Sequence, residues 1–175
     1  VTPIINAQTA WIDSLQRFVE PRHDVRVIDV SRGSKGDKSK ALDKLSGICN
    51  VVVANHNAID WVDGIHRVRR FGEIVFDAVI IDESHMVLPM TSPRKVTNFW
   101  NGLKRLRLAE DAMRVAVSGT PDRGKLENRY GTWLFLDPWN TSYNRWDWLT
   151  KNFHIYDQQV ARNHSVKMVG ALRNK

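Results

Sequence analysis

Residues 76–87, FDAVIIDESHMV, decide how this chain is read. An apolar run over residues 78–81 stops at two carboxylates, Asp82 and Glu83, with Ser84 and His85 behind them. A short continuous run of this kind is the pattern of a strand covered on both faces of a parallel sheet. In open α/β sheets ligands gather beyond the carboxyl ends of the strands, so acids at such an end call for a cation, a proton-transfer partner or a capping role. An Asp directly at the strand end can hold Mg²⁺, usually through water, because a hard cation takes oxygen ligands. A Glu beside it can orient and deprotonate a water that attacks a phosphoryl group. For an isolated Asp-Glu pair, capping or pairing with a nearby Arg is the plainer explanation.

Working outward, two more apolar runs end in polar residues: NVVV before ANHN (residues 54–57) and RVAV before SGTP (residues 118–121). Between these runs the spacing predicts helices: AQTAWIDSLQRFVE ahead of Pro21, a short one around ALDKL, AIDWVDGIHRVRRF, and KVTNFWNGLKRLRLA with Phe99, Trp100, Leu103 and Leu106 on one face. DVRVIDV reads as a further strand, and SRGSKGDKSK as a basic loop. Strands alternating with helices predict an α/β fold with a largely parallel sheet. The opening VTPII reads as a strand end, so the fold is expected to be incomplete at the N-terminus and the chain part of a larger polypeptide.

Composition narrows the class. The 175 residues are one domain's worth, and with 42% hydrophobic residues and seven Trp they can bury a core. Lys and Arg outnumber Asp and Glu by 26 to 19, a net charge of +7 that suits a polyanionic partner. The single cysteine, Cys49, excludes an internal disulfide and a cysteine-based zinc cluster, and fits a reducing compartment, cytoplasmic or nuclear. No apolar run approaches the length of a membrane span.

Taken together, VTPIINAQTAWIDSLQRF, NVVVANHNAI, FDAVIIDESH and RVAVSGTPDRGKLENRYGTWLFLDP resemble, in order, motif Ia, the strand after it, motif II and motif III of a superfamily 2 helicase or translocase, most of all its Swi/Snf-like branch. The resemblance covers roughly residues 1–138 and implies a three-layer RecA-like first motor domain, with residues 139–175 a helical extension toward a second motor domain. It implies ATP and Mg²⁺ as cofactors and nucleic acid, DNA more than RNA, as partner. Carried over residue by residue, Asp82 would hold Mg²⁺ through water and Glu83 would activate the hydrolytic water. His85, Ser118, Gly119 and Thr120 would couple the nucleotide site to the nucleic-acid track, which Thr2, Pro3, Asn55, His56 and Asn57 would approach. ANHN departs from the family's usual Ser-Tyr, and DRGKLEN from its short Asn-containing turn.

The phosphate loop G-x-x-x-x-G-K-[ST] occurs nowhere in these residues. The nearest imitation, RGSKGDKS, has its glycines too close together and no Lys directly after the second, which leaves Lys35, Lys38 and Lys40 as a solvated basic loop. The family's loop would precede Val1, and its arginine finger would come from the second domain. Two further readings stay open: a nucleic-acid-binding module without hydrolysis, and a phosphotransferase built on Lys38 and Ser39. The basic groups Arg67, Arg69, Arg70 and Lys104, Arg105, Arg107 are equally readable as DNA-facing patches or as the wet faces of helices. Trp133, Trp139, Trp146 and Trp148 with Phe135 and Tyr143 are expected to pack in the core or between domains.

Overall fold

The computed structural model describes residues 1–4, 7–19, 24–46, 49–59, 61–62, 65–66, 68–89, 97–121, 128–141, 144–161 and 164–172. A π-helical turn, Ala7–Ile12, runs into helix α1 (Asp13–Phe18). Strand β1 (Val25–Asp29), helix α2 (Lys35–Leu42) and strand β2 (Cys49–Val53) follow. Helix α3 (His56–Ile59), the two-residue strands β3 (Trp61–Val62) and β4 (Ile65–His66) and a 3₁₀ turn (Arg69–Gly72) lead to β5 (Val75–Ile81). A second 3₁₀ turn, Ser84–Met86, precedes α4 (Asn98–Leu103), β6 (Arg107–Ala116), α5 (Arg129–Leu136), α6 (Arg145–Asn152), β7 (Phe153–Ala161) and β8 (His164–Leu172).

The protein is mixed α/β with parallel strand pairs, as the alternation of apolar runs predicts. β1 pairs with β2 and β5 with β6, both parallel. Val1 and Thr2 tie the two pairs together. Val1 donates its backbone nitrogen to Ile80 O (2.6 Å) and accepts from Asp82 N (2.8 Å), while Thr2 donates to Ala54 O (2.9 Å) and accepts from His56 N (3.1 Å). Five extended segments therefore lie side by side in the order β1, β2, Val1–Thr2, β5, β6, with Thr2 in parallel register to Asn55. The main core gathers Ile28, Val30, Ile59, Phe71, Val79, Ile81, Phe99, Trp100 and Tyr130 from both pairs and the helices over them. Large apolar side chains buried to this degree contribute about 1.5–3 kcal/mol apiece. Among the described residues no helix is long and apolar enough to cross a membrane.

Several expectations fail locally. Residues 58–71 do not form one helix: α3 is a single turn, followed by the antiparallel β3–β4 pair and a 3₁₀ turn. The Asp-Gly at 63–64 is a hairpin signal that the helical reading passed over. The helix expected over residues 95–109 ends at Leu103, and β6 starts at Arg107. Arg105, Leu106, Arg107 and Leu108 alternate charged and apolar, which is a strand pattern. In β6, Leu108 faces Phe76 and Met113 faces Ala78, so residues 109–112 bulge opposite Asp77.

The tail is not a helical extension. After α6, β7 and β8 form an antiparallel hairpin with Tyr156 opposite Met168 and an Asp157–Lys167 ion pair at 3.1 Å. Phe153 anchors it, 5.4 Å from Trp148, whose ring is 5.5 Å from Tyr130. Of the expected aromatic packing, Phe135 is buried and Trp148 half-buried, whereas Trp133, Trp139 and Trp146 are exposed. Tyr143 and Arg67 lie outside the described residues. Finally, Lys35, Lys38 and Lys40 stand on α2 and not in a loop. Arg70 is paired with Asp43 and Glu73 (3.1 and 3.2 Å), while Lys104, Arg105 and Arg107 are exposed.

Candidate functional site

Asp82 is the first residue past β5, and its carboxylate is held from three directions. Oδ2 accepts from the Thr2 hydroxyl (2.8 Å) and from Trp11 Nε1 (3.0 Å), and Oδ1 accepts from Glu83 N (2.9 Å). The Asp82 carbonyl takes a further bond from His56 Nε2 at 3.0 Å, which places the proton of neutral His56 on that nitrogen. Trp11 was legible only as an apolar helix residue; its indole N–H, aimed at a carboxylate from an element 71 residues away, has no sequence signature.

Glu83 has φ 47° and ψ 44°, and is the one non-glycine residue with positive φ among the described residues. A left-handed conformation costs a non-glycine residue about 1–2 kcal/mol, and such strain persists where the surroundings over-determine it. Here Ser84 N bonds to Val117 O (2.9 Å) and Val117 N to Ile81 O (2.8 Å), so the turn is clamped from both sides by the end of β6. The left-handed turn brings the Glu83 carboxylate back over the chain to His85, with Oε2 3.1 Å from Nδ1. The same Nδ1 is 2.8 Å from Ser118 Oγ, which also accepts from Thr120 N at 3.1 Å. His85 Nδ1 thus stands within reach of both the Glu83 carboxylate and the Ser118 hydroxyl.

The DESH and SGT turns are thus one hydrogen-bonded unit, and Glu83, His85, Ser118 and Thr120 come together as expected from their places at neighbouring strand ends. Gly119 and Thr120 are exposed, with open space around Gly119. The expected nucleic-acid contacts separate into two groups. Thr2, Asn55 and His56 are buried: Thr2 serves Asp82, and Asn55 Oδ1 caps α3 by accepting from Ala58 N (3.0 Å). The hydrogen bonds of Thr2 and His56 support Asp82, and that of Asn55 supports α3. Pro3 is half-buried and Asn57 exposed.

Among the described residues no three or more His, Cys, Asp or Glu side chains converge as a metal cage. Asp82 Oδ2 accepts from Thr2 and Trp11, and Oδ1 from Glu83 N. A carboxylate is the kind of oxygen ligand that a hard cation such as Mg²⁺ takes, directly or through water. The RGSKGDKS stretch offers no phosphate cradle. Ser34 Oγ accepts from Asp37 N, and Asp37 Oδ2 accepts from Ser34 N (3.0 Å) and Ser34 Oγ (2.7 Å), closing a capping box. Gly33 takes φ 83° beneath it. The hydrogen bonds from Ser34 hold the Asp37 carboxyl below its ordinary range, so the helix start already carries an anion of its own. Lys38 Nζ reaches back 3.4 Å to Ser31 O.

His56 makes the site acid-sensitive. Burial lowers its pKa from the ordinary 6.5, against a smaller opposite pull from the Asp82 carbonyl. The unfolded chain therefore takes up a proton below pH 6.5 that the folded chain resists, and stability falls as pH drops through that point. The slope from this one group is at most about 1.4 kcal/mol per pH unit. Thermal midpoints measured from pH 7.5 to 5 are expected to fall more steeply for the parent than for His56→Gln; equal slopes would remove His56 as the cause.

The fold and site define a mixed α/β protein with acids and a histidine gathered past the carboxyl ends of parallel strands. Comparison with known protein families, curated proteins and solved structures gave no match.

Proposed function

We propose that this chain is the first-motor-domain portion of an ATP-dependent DNA helicase or translocase, a three-layer RecA-like domain whose phosphate loop and second domain lie outside these 175 residues. The observation that carries the reading is the position of His85 Nδ1, 3.1 Å from Glu83 Oε2 and 2.8 Å from Ser118 Oγ, between the candidate base and the SGT turn. Bound Mg²⁺ would neutralise phosphate charge, with Asp82 holding it through water. Glu83 would take the proton of the attacking water. A change in the SGT turn that moves Ser118 would move His85 and so alter how firmly Glu83 is oriented. This is a route from a polymer track to the hydrolytic residue.

The test uses a longer polypeptide that includes the flanking segments, with ATP turnover followed with and without DNA. Turnover is expected to rise on adding DNA. Ser118→Ala is expected to retain basal turnover while losing most of the stimulation, at least about fivefold on the scale of one hydrogen bond of 1 kcal/mol. DNA bound with a steep salt dependence but no turnover at any length would instead mark a nucleic-acid-binding module without hydrolysis. Tight MgATP binding by the present chain, lost in Lys38→Ala, would favour the phosphotransferase reading and overturn this one.

A further inference from the structure

A cavity of about 400 Å³ lies between α4, β6 and the end of α5. None of the acid-cluster residues lines it, so it stands apart from that cluster. Its floor is apolar: Trp100, Leu103, Leu106, Leu134 and Phe135 all belong to the main core. Lys104, Glu110, Arg114 and Trp139 complete the wall; Arg114 is half-buried and the other three are exposed. An apolar cleft of this size with a few polar groups at its mouth has the form of a small-molecule site.

The bulge in β6 shapes this wall. Leu108 pairs with Phe76 and Met113 with Ala78, so residues 109–112 stand opposite Asp77 alone. Bulges re-aim side chains and recur beside binding sites. Ala109 and Glu110, the first two bulged residues, line the cavity. Just past the bulge, Arg114 Nη1 donates to Phe135 O at 3.2 Å, which fixes the guanidinium against the end of α5. That bond uses one of its five N–H donors, and among the described residues no carboxylate pairs with it. Trp139 is also set in place. Asp137 Oδ1 accepts from Asn140 N (3.1 Å) and Asp137 O from Thr141 N (3.0 Å), closing a turn around Pro138 and Trp139. The indole is nevertheless 83% exposed. A large ring held in water on a hydrogen-bonded turn is preorganised to cover a ligand.

We propose that this cavity binds a small aromatic monocarboxylate, with its rings between Trp139 and the apolar floor and its carboxylate on Arg114 and Lys104. Size sets the body. An apolar cavity of about 150 Å³ holds one benzene, so this larger, open one takes two fused rings. Charge sets the head. A guanidinium matches the two oxygens of a carboxylate, and Lys104 adds a second cation to the same wall. Glu110, also in that wall, repels a second negative charge and so disfavours a phosphate monoester. A neutral analogue would cover the half-buried guanidinium without pairing it, which costs affinity. The site is independent of the motor-domain reading and needs no ATP turnover.

Naphthoate is the probe, with calorimetry giving affinities and the Trp139 indole N–H resonance reporting the place. It is expected to bind with a Kd below about 1 mM and to shift that resonance. Naphthylmethanol, the same rings without the charge, and naphthyl phosphate are each expected to bind at least about tenfold more weakly. Arg114→Gln is expected to weaken naphthoate about tenfold and leave the alcohol unchanged. Trp139→Ala is expected to weaken acid and alcohol alike at an unchanged thermal midpoint, because the ring is exposed. No shift of the Trp139 resonance up to about 5 mM naphthoate, or equal affinity for acid and alcohol, overturns the proposal. So does tighter binding of the phosphate, which would mark a site for phosphate esters. Should Arg114→Gln fail to fold, Trp139→Ala decides alone, and undiminished naphthoate binding by that variant overturns the site.

Discussion

On the proposed motor-domain reading, Glu83→Gln in a longer polypeptide with ATP turnover is expected to bind MgATP as the parent does and to hydrolyse it about a thousandfold more slowly. The factor is that of a removed general base, typically 10²–10⁴. The amide keeps the size of the side chain and a carbonyl oxygen that can stay beside His85 Nδ1. What it loses is the ability to take a proton. Single-turnover rates and nucleotide affinity separate the two effects, and a rate within tenfold of the parent would exclude Glu83 as the base. A companion variant addresses the strained turn. Glu83→Gly removes the left-handed penalty of about 1–2 kcal/mol, offset by about 0.5–1 kcal/mol of extra chain freedom when unfolded. It is expected to be as inactive as Glu83→Gln and to unfold no earlier than the parent. Destabilisation of 1 kcal/mol or more would mean that the Glu83–His85 contact holds the fold together.

Gly102→Ala is expected to destabilise the protein by about 3 kcal/mol, the upper part of the range for overpacking. An alanine Cβ at this position would lie 1.5 Å from Ile59 O and 2.7 Å from Ile59 C, both backbone atoms. Ile59 ends α3 and is buried, so neither partner can turn away as a side chain would. On an exposed helix the same change would stabilise by about 1 kcal/mol through helix propensity, so the sign of the effect is diagnostic. At roughly 2–4 °C per kcal/mol for a chain of this size, the thermal midpoint drops by about 10 °C. A midpoint at or above the parent's would show that α4 stands further from α3. The consequence reaches the site: α4 carries Phe99, whose ring meets His56 edge-on at 5.7 Å. Shifting α4 therefore loosens the imidazole that holds the Asp82 carbonyl.

Much of the candidate site could be read directly because its residues follow strand ends. Asp82 and Glu83 after β5, and Ser118 and Thr120 after β6, are placed by apolar runs whose pairing puts neighbouring carboxyl ends together. Long-range polar contacts were not readable in the same way. Thr2 and Trp11 reach Asp82 across 80 and 71 residues, and His56 across 26, through atoms that hydrophobic patterning treats as ordinary core or surface. Local chemistry could also mislead where two periods coexisted. The segment after Leu103 fits a helix by its apolar spacing and a strand by the alternation of Arg105 to Leu108, and the ladder with β5 goes with the strand.

By itself the sequence determined the apolar strands, the identity of the acids and histidine, and the lack of a Gly-rich phosphate-loop motif in these residues, because each depends on residue type at short range. Tertiary structure alone decided the left-handed turn at Glu83, the clamp on Asp82, the contact of Gly102 with Ile59 and the cavity beside Trp139. Those features depend on which strands lie next to each other and how far apart. That spacing is set by the packing of the whole core, and no window of neighbouring residues contains it.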